Sequence, residues 1–206
     1  MFIATQLNAP DLRKTVELMV ALGAYAVMYN RLNLGRQQRR SAERLLPTAR
    51  MIEDNLRDLN ELATTYDLAA TVSVVVEPCV VDFRAYPRLH FGWCPRGGED
   101  SYFTIDPIGN VRICNHSPVV LGNVQTDRSR DVYESAPVRS FYETWPEECA
   151  ACPPELRNVC GGGSRAAAEQ WYGTAARVEP FVQLRARDVP PANIGASGLD
   201  LTTSRR

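Results

Sequence analysis

The sequence lacks a strong excess of charge of either sign, and it lacks any long apolar run. Its 206 residues carry a formal net charge of -1, so no overall field favours nucleic acid or an acidic lipid surface. No stretch approaches the roughly 20 apolar residues that span a bilayer, and the N-terminus lacks the basic segment and apolar core of a secretory signal. We therefore predict a cytoplasmic protein that binds neither nucleic acid nor membrane.

Cysteine, by contrast, is present in an informative pattern. The chain has six cysteines, and in a reducing compartment clustered cysteines indicate metal binding or catalysis before disulfides. Cys149-Ala-Ala-Cys152 is a knuckle from which two thiolates can bind one metal, and Cys160 adds a third thiolate beside a glycine run. Cys94 and Cys114 lie upstream, on either side of a predicted hairpin. Zinc and iron–sulfur clusters both take such thiolates, so the spacing leaves the two alternatives open.

The first part of the chain has the pattern of βα units. Strands are predicted at residues 1–7, 24–30 and 71–76, with a long amphipathic helix at 47–66. Strand, helix and strand joined by short links form parallel sheets. Because three parallel strands leave an unpaired edge and Met1 lies so close to the first strand, we expect a fragment of a larger sheet. A small three-stranded layer that is stable alone is the alternative.

The pattern changes near Pro78, where proline and glycine become frequent and the elements become short. The turn sequence Asp106-Pro-Ile-Gly109-Asn110 predicts a hairpin between two short strands. We place the domain boundary between residues 77 and 93. The predicted units are residues 1–77, residues 78–185, and a flexible tail at 186–206.

Two groups of residues carry a resemblance to a known family. The first is Cys94-x14-Gly109-x4-Cys114, followed by Cys149-x2-Cys152-x7-Cys160-x3-Ser164. The second is Thr5-Gln-Leu-Asn8 and Asn30-Arg-Leu-Asn33-Leu-Gly35. The first group resembles the SPASM domain, the C-terminal extension of many radical S-adenosylmethionine (SAM) enzymes that modify peptides and proteins. The second group is similar to late strands of the partial barrel of those enzymes. The resemblance implies an α/β fold, with a partial parallel (βα) barrel fragment followed by a small, irregular, Cys-rich SPASM-like domain with a β-hairpin.

The resemblance also implies 4Fe-4S clusters and their ligands. Cys94 and Cys114 match ligands of a first cluster, and Cys79 lies where some relatives place a further ligand of that cluster. The ligands that match the second cluster are Cys149, Cys152 and Cys160.

Four polar residues are further candidates. Arg31 and Asn33 follow a predicted strand and are expected to face a nucleoside-type ligand at the barrel mouth, because ligands bind at strand ends in α/β sheets. His116 and His90 are candidate substitute ligands, although an ordinary histidine in a loop is the favoured interpretation of each.

The sequence departs from the family in three ways. The radical enzymes bind their catalytic cluster through CxxxCxxC, and this sequence has no such motif. Ser164 stands where the family has the cysteine that completes the first cluster, and no cysteine follows Cys160 to close the second. We therefore expect one or two 4Fe-4S clusters with at most three thiolates each. We expect SAM to bind only if the missing half of the barrel is supplied.

Two functions follow from these observations. The first is an iron–sulfur cluster-binding C-terminal portion of a radical SAM/SPASM maturase-type enzyme that is not catalytically competent alone. Its expected partners are a peptide substrate or a chain that carries the missing half of the barrel. The alternative is a degenerate, non-catalytic module that binds a peptide or a partner, with zinc or no metal. A thioredoxin-like redox role for Cys149 and Cys152 is weaker, because the pair lies far from the βαβ region.

Overall fold

A computed structural model describes residues 1–94 and 101–185, apart from the side chains of 36–38 and 185. The predicted tail at 186–206 lies outside the described residues. The described part of the chain forms a parallel α/β layer, followed by a smaller region of short strands and helices. The predicted fold class is thus confirmed.

The first layer is a four-stranded parallel sheet in chain order. Its strands are β1 (Phe2–Ala4), β2 (Ala26–Arg31), β3 (Ala69–Val72) and β4 (Leu89–Phe91). Tyr29 of β2 lies opposite Phe2 on one side and Val72 on the other. Three of these strands were predicted from the sequence, and β4 was not. Its three residues are too few to show the alternation of apolar and polar residues that marks a strand. The sheet continues to Phe91, which lies inside the interval 77–93 where the domain boundary is predicted.

Helices cover one face of this sheet. They are α1 (Leu12–Ala21), α2 (Ala42–Leu45) and α3 (Ala49–Thr65). Thr48 begins α3 by accepting a hydrogen bond from the backbone N–H of Met51 at 3.1 Å. The buried residues of α3 share one apolar cluster with alternate residues of the strands, among them Phe2, Val27 and Tyr29. The sheet therefore buries one face against α1 and α3.

The second region opens with a three-stranded antiparallel sheet. It contains β5 (Thr104–Ile105), β6 (Asn110–Arg112) and β7 (Gly122–Asn123). The predicted turn is present: the Asp106 carboxylate accepts hydrogen bonds from the backbone N–H groups of Ile108 and Asn110. Gly109 has a φ of 86° there, and a Cβ at this position would lie 2.8 Å from Oδ1 of Asn123. The turn and β7 therefore fit together only with glycine at this position.

Five short helices complete the described chain. They are α4 (Ser129–Tyr133), α5 (Ala136–Glu143), α6 (Pro154–Cys160), α7 (Arg165–Tyr172) and α8 (Pro180–Arg185). The glycine run at 161–163 joins α6 to α7, and all three glycines have positive φ. None of the helices in the described residues is long and apolar enough to cross a membrane.

Candidate functional site

The six cysteines, none of which forms a disulfide, line two separate cavities. The first, here called the mouth cavity, has a volume of about 540 Å³ and is lined by Cys94, Cys114 and Ser164 among others. The second, here called the four-cysteine cavity, has a volume of about 390 Å³. Its thiols are those of Cys79, Cys149, Cys152 and Cys160.

The mouth cavity lies at the carboxyl ends of the parallel strands. Asn30 near the end of β2 and Ser73 just after β3 both line it. The Asn30 side-chain oxygen accepts hydrogen bonds from the backbone N–H groups of Ser73, at 3.2 Å, and Val74, at 3.0 Å. After β4, Gly92 donates its N–H to the Val72 carbonyl at 2.7 Å. This bond holds the chain beside β3 and brings Cys94 to the same edge of the sheet.

Backbone N–H groups point at both sulfurs of the mouth cavity. Cys94 accepts from the N–H of Arg165, and Cys114 accepts from the N–H of His116 at 3.4 Å. Burial raises the pKa of the Cys94 thiol to about 12, and the negative charges of Glu179 and Cys114 add to this effect. A bound cation would reverse that penalty, because metal ligation requires the thiolate.

Ser164 has a structural function that accounts for serine at this position. Its Oγ accepts a hydrogen bond from the Ala167 N–H at 3.3 Å, which makes Ser164 the N-cap of α7. The Asn33 amide also donates to this Oγ, at 3.4 Å. Asn33 lines the mouth cavity, and its buried Oδ1 has no hydrogen-bond partner among the described residues. Buried polar atoms are normally satisfied, so an unpaired Oδ1 in a cavity wall indicates a place for a ligand atom.

The other predicted polar residues have different positions. Arg31 is fully buried and bridges the carboxylates of Glu77, at 3.2 Å, and Glu179. It therefore lies outside the linings of both cavities, and its guanidinium binds protein carboxylates instead. His116 is half-buried in the mouth cavity, and burial lowers the pKa of its imidazole. His90 is an exposed residue of β4 and lines neither cavity.

The four-cysteine cavity collects thiols from two distant parts of the chain. Cys149 ends a short 3-10 helix, and the Cys152 N–H closes a tight turn on the Cys149 carbonyl at 3.1 Å. Cys160 ends α6, and the backbone N–H of Gly163 donates to the Cys160 carbonyl at 3.2 Å. Burial raises the pKa of the Cys160 thiol well above its ordinary value.

Cys79 supplies the fourth thiol of this cavity. Its side chain is open to solvent there, yet the dense protein around it raises the pKa of its thiol to about 12 by desolvation. The Glu77 carboxylate and the sulfurs of Cys152 and Cys149 add to the shift. The family resemblance associates Cys79 with the pair in the mouth cavity. The structure differs, because the chain after β3 turns away from that cavity at Glu77.

The spacing of the donors distinguishes a single ion from a larger group. Among the described residues, no three Cys, His, Asp or Glu side chains come close enough together to hold one metal ion. Tetrahedral zinc with Zn–S bonds of about 2.3 Å would hold its sulfurs roughly 3.8 Å apart. The four thiols around one cavity match the number of cysteines that a 4Fe-4S cluster takes.

A buried charged group separates the two cavities. Glu77 lines the four-cysteine cavity, while Glu179 accepts a hydrogen bond from the backbone N–H of Ser164 in the mouth cavity. Burial raises the pKa of Glu77, and the Glu179 carboxylate raises it further. Burial disfavours the charged form of Arg31, but the carboxylates of Glu179 and Glu77 outweigh this effect and raise the pKa of its guanidinium. Neither acid was predicted as a functional residue from the sequence, in which each stands between a valine and a proline.

The two cysteine-lined cavities, one of them at the mouth of a parallel sheet, offer thiols that could ligate an inorganic group. Residues 94–153 match the SPASM family of iron–sulfur cluster-binding domains. The match contains four of the predicted ligands: Cys94, Cys114, Cys149 and Cys152. The match bears out the predicted SPASM domain over residues 94–153, and a SPASM domain implies iron–sulfur cluster binding. No curated protein matches the chain.

Proposed function

We propose that this chain is the iron–sulfur C-terminal portion of a radical SAM/SPASM maturase-type enzyme, and that it is not catalytically competent alone. The mouth cavity carries the proposal, because it joins the thiols of Cys94 and Cys114 to the carboxyl ends of β2 and β3. In parallel α/β sheets, substrates and cofactors bind at the carboxyl ends of the strands. A cluster bound in this cavity would therefore lie beside a substrate in the barrel.

The winding of the sheet supports the barrel part of the proposal. All four strands are parallel, and neighbours in the sheet are neighbours in the chain. This single direction of winding is that of a (βα) barrel, whereas doubly wound sheets reverse their strand order. On the face opposite the helices, Ile3 and Met28 remain 43% and 42% exposed. That open face corresponds to the interior of a barrel and gives a peptide substrate an apolar surface.

Unpaired edges support the need for a further βα part. Among the described residues, β1 pairs with β2 alone and β4 pairs with β3 alone. Leu18 of α1, Leu22 just after α1 and Tyr25 before β2 are 61%, 80% and 82% exposed. Exposed strand edges and large apolar side chains are typical of surfaces that another element covers. We propose that the covering part carries the CxxxCxxC motif and is supplied by a partner chain.

The observations favour this function over a zinc-binding module. The matched family binds iron–sulfur clusters, and no three donors among the described residues approach closely enough for one zinc ion. The absence of CxxxCxxC from the sequence accounts for the proposed lack of independent catalysis.

Anaerobic reconstitution with iron and sulfide, followed by incubation with SAM and a strong reductant, tests this function. We expect the chain to take up iron and sulfide in equal amounts and to release no methionine from SAM. Release of methionine by the chain alone would contradict the proposed incompetence, and failure to bind iron would contradict the proposed cluster. The double substitution Cys94→Ala/Cys114→Ala should lower iron uptake. Since all six cysteines line the two cavities, no cysteine can serve as the control position. Thr126→Ala, in a surface turn, is a suitable control.

A further inference from the structure

We propose that Cys79 is the fourth thiolate of a complete 4Fe-4S site formed with Cys149, Cys152 and Cys160. This inference rests on the proposed iron–sulfur function and deepens it. It reverses the expectation that each site has at most three thiolates. The four-cysteine cavity becomes the complete site, and the mouth cavity becomes the incomplete one.

The position of Cys79 is fixed by the residues around it. Glu77, two positions earlier, is fully buried and pairs with Arg31 at 3.2 Å. The Glu77 carbonyl accepts hydrogen bonds from the N–H groups of Val80, at 2.8 Å, and Val81, at 3.0 Å. Both valines are buried. Cys79 therefore lies in a tight turn that is anchored on both sides and presents its thiol to the cavity.

The thiol count requires Cys79. A 4Fe-4S cluster held entirely by protein takes four cysteines. The cavity receives three from the C-terminal part of the chain, and no cysteine follows Cys160. All six cysteines lie in the described residues, and Cys94 and Cys114 line the other cavity. Among the described residues, Cys79 is thus the fourth thiol that lines this cavity.

The walls of the cavity also suit a sulfur-rich group. Gly162 has a φ of 88°, and a Cβ there would lie 2.5 Å from the Pro146 side chain and 3.6 Å from the Cys149 sulfur. The backbone therefore packs directly against the thiols, and the Gly163 N–H donates to the Cys160 carbonyl at 3.2 Å.

Glu77 immediately precedes Pro78 and Cys79 and lines the same cavity, so its buried side chain and the fourth thiol belong to one anchored segment.

Cluster analysis in a background that lacks the mouth thiols tests the assignment. The chain carrying Cys94→Ala and Cys114→Ala is reconstituted anaerobically, and its iron, acid-labile sulfide and Mössbauer spectrum are measured. We expect about four irons and four sulfides per chain. Adding Cys79→Ala should lower the iron content at least twofold or convert the cluster to a three-iron form, and Cys152→Ala should have the same effect.

Differential alkylation of the unmutated chain gives a readout that does not depend on how the variants fold. Reconstituted and metal-free protein are treated anaerobically with iodoacetamide, and each cysteine is quantified by mass spectrometry. We expect Cys79 to be protected in the reconstituted protein as strongly as Cys149, Cys152 and Cys160. Full alkylation of Cys79 while those three stay protected would overturn the inference and leave the proposed function intact. Protection of none of the six, with no iron bound, would overturn both.

Discussion

Replacing Gly163 with alanine tests the packing between the two cavities. Gly163 has a φ of 85°, and a Cβ there would lie 2.2 Å from Oε1 of Glu77 and 2.6 Å from Cγ of Glu179. Gly173 is a matched control, because its φ is 78° and nothing lies within 4 Å of a Cβ built on it. The two substitutions impose the same backbone conformation on alanine, and only the first places a methyl group against the buried carboxylates.

The magnitudes follow from these contacts. A left-handed backbone costs alanine about 1–2 kcal/mol, and this is the whole expected effect of Gly173→Ala. Overpacking at Gly163 adds about 1–3 kcal/mol, before any weakening of the ion pairs that Arg31 makes with the two acids. Gly163→Ala should therefore lose about 2 kcal/mol more than Gly173→Ala. For a chain of this size that difference lowers Tm by roughly 4–8 °C.

Thermal and urea unfolding of the metal-free chain, followed by circular dichroism, measures this difference. The metal-free form is used because a bound cluster would add its own linkage to the apparent stability. If the two alanine variants unfold at the same temperature and the same urea concentration, the close approach of the glycine run to the buried acids is refuted.

Three further changes test the network and the helix cap. Arg31→Met leaves Glu77 and Glu179 buried without their cation and should destabilise the chain by about 3–5 kcal/mol in urea unfolding. Arg13→Met removes two partly exposed ion pairs, with Asp58 and Glu61, and should change stability by less than about 1 kcal/mol. Equal effects of the two would contradict the buried network. Ser164→Ala should cost about 1 kcal/mol through loss of the α7 cap, and unchanged urea unfolding would exclude that function. Ser164→Cys should raise the iron content after reconstitution, because it adds a thiol to the mouth cavity; an unchanged iron content would show that the hydroxyl does not face the cluster position.

The elements with a clear period were predictable from the sequence. The apolar stripe of the helix predicted at 47–66 places α3 at Ala49–Thr65, and the turn sequence around Gly109 places the hairpin. Strand β4 was missed, because Leu89–Phe91 is too short to show alternation and is defined only by its pairing with β3. A long element can be predicted from its repeating hydrophobic pattern. A strand of three residues shows no such pattern and is defined by its pairing in the folded protein.

The candidate site was predictable in its residue types and less so in its grouping. Spacing brought Cys149 and Cys152 together, because two thiols of one turn are neighbours whatever the fold does. Cys79 was associated with the other cavity, because its position depends on a turn anchored by Glu77 and Arg31 across the sheet. Ser164 was noted only as a missing thiol, and its capping of α7 became evident once the helix start was placed. The spacing of motifs does not reveal contacts between residues that are distant in the chain.

The central claim is that the four-cysteine cavity is a complete cluster site, and Mössbauer spectroscopy of the Cys94→Ala/Cys114→Ala chain reconstituted with ⁵⁷Fe tests it most directly. A single spectrum of a 4Fe-4S cluster, with about four irons and four sulfides per chain, is the result that the structure predicts. A chain that binds stoichiometric zinc, or only a three-iron cluster that Cys79→Ala leaves unchanged, would contradict it.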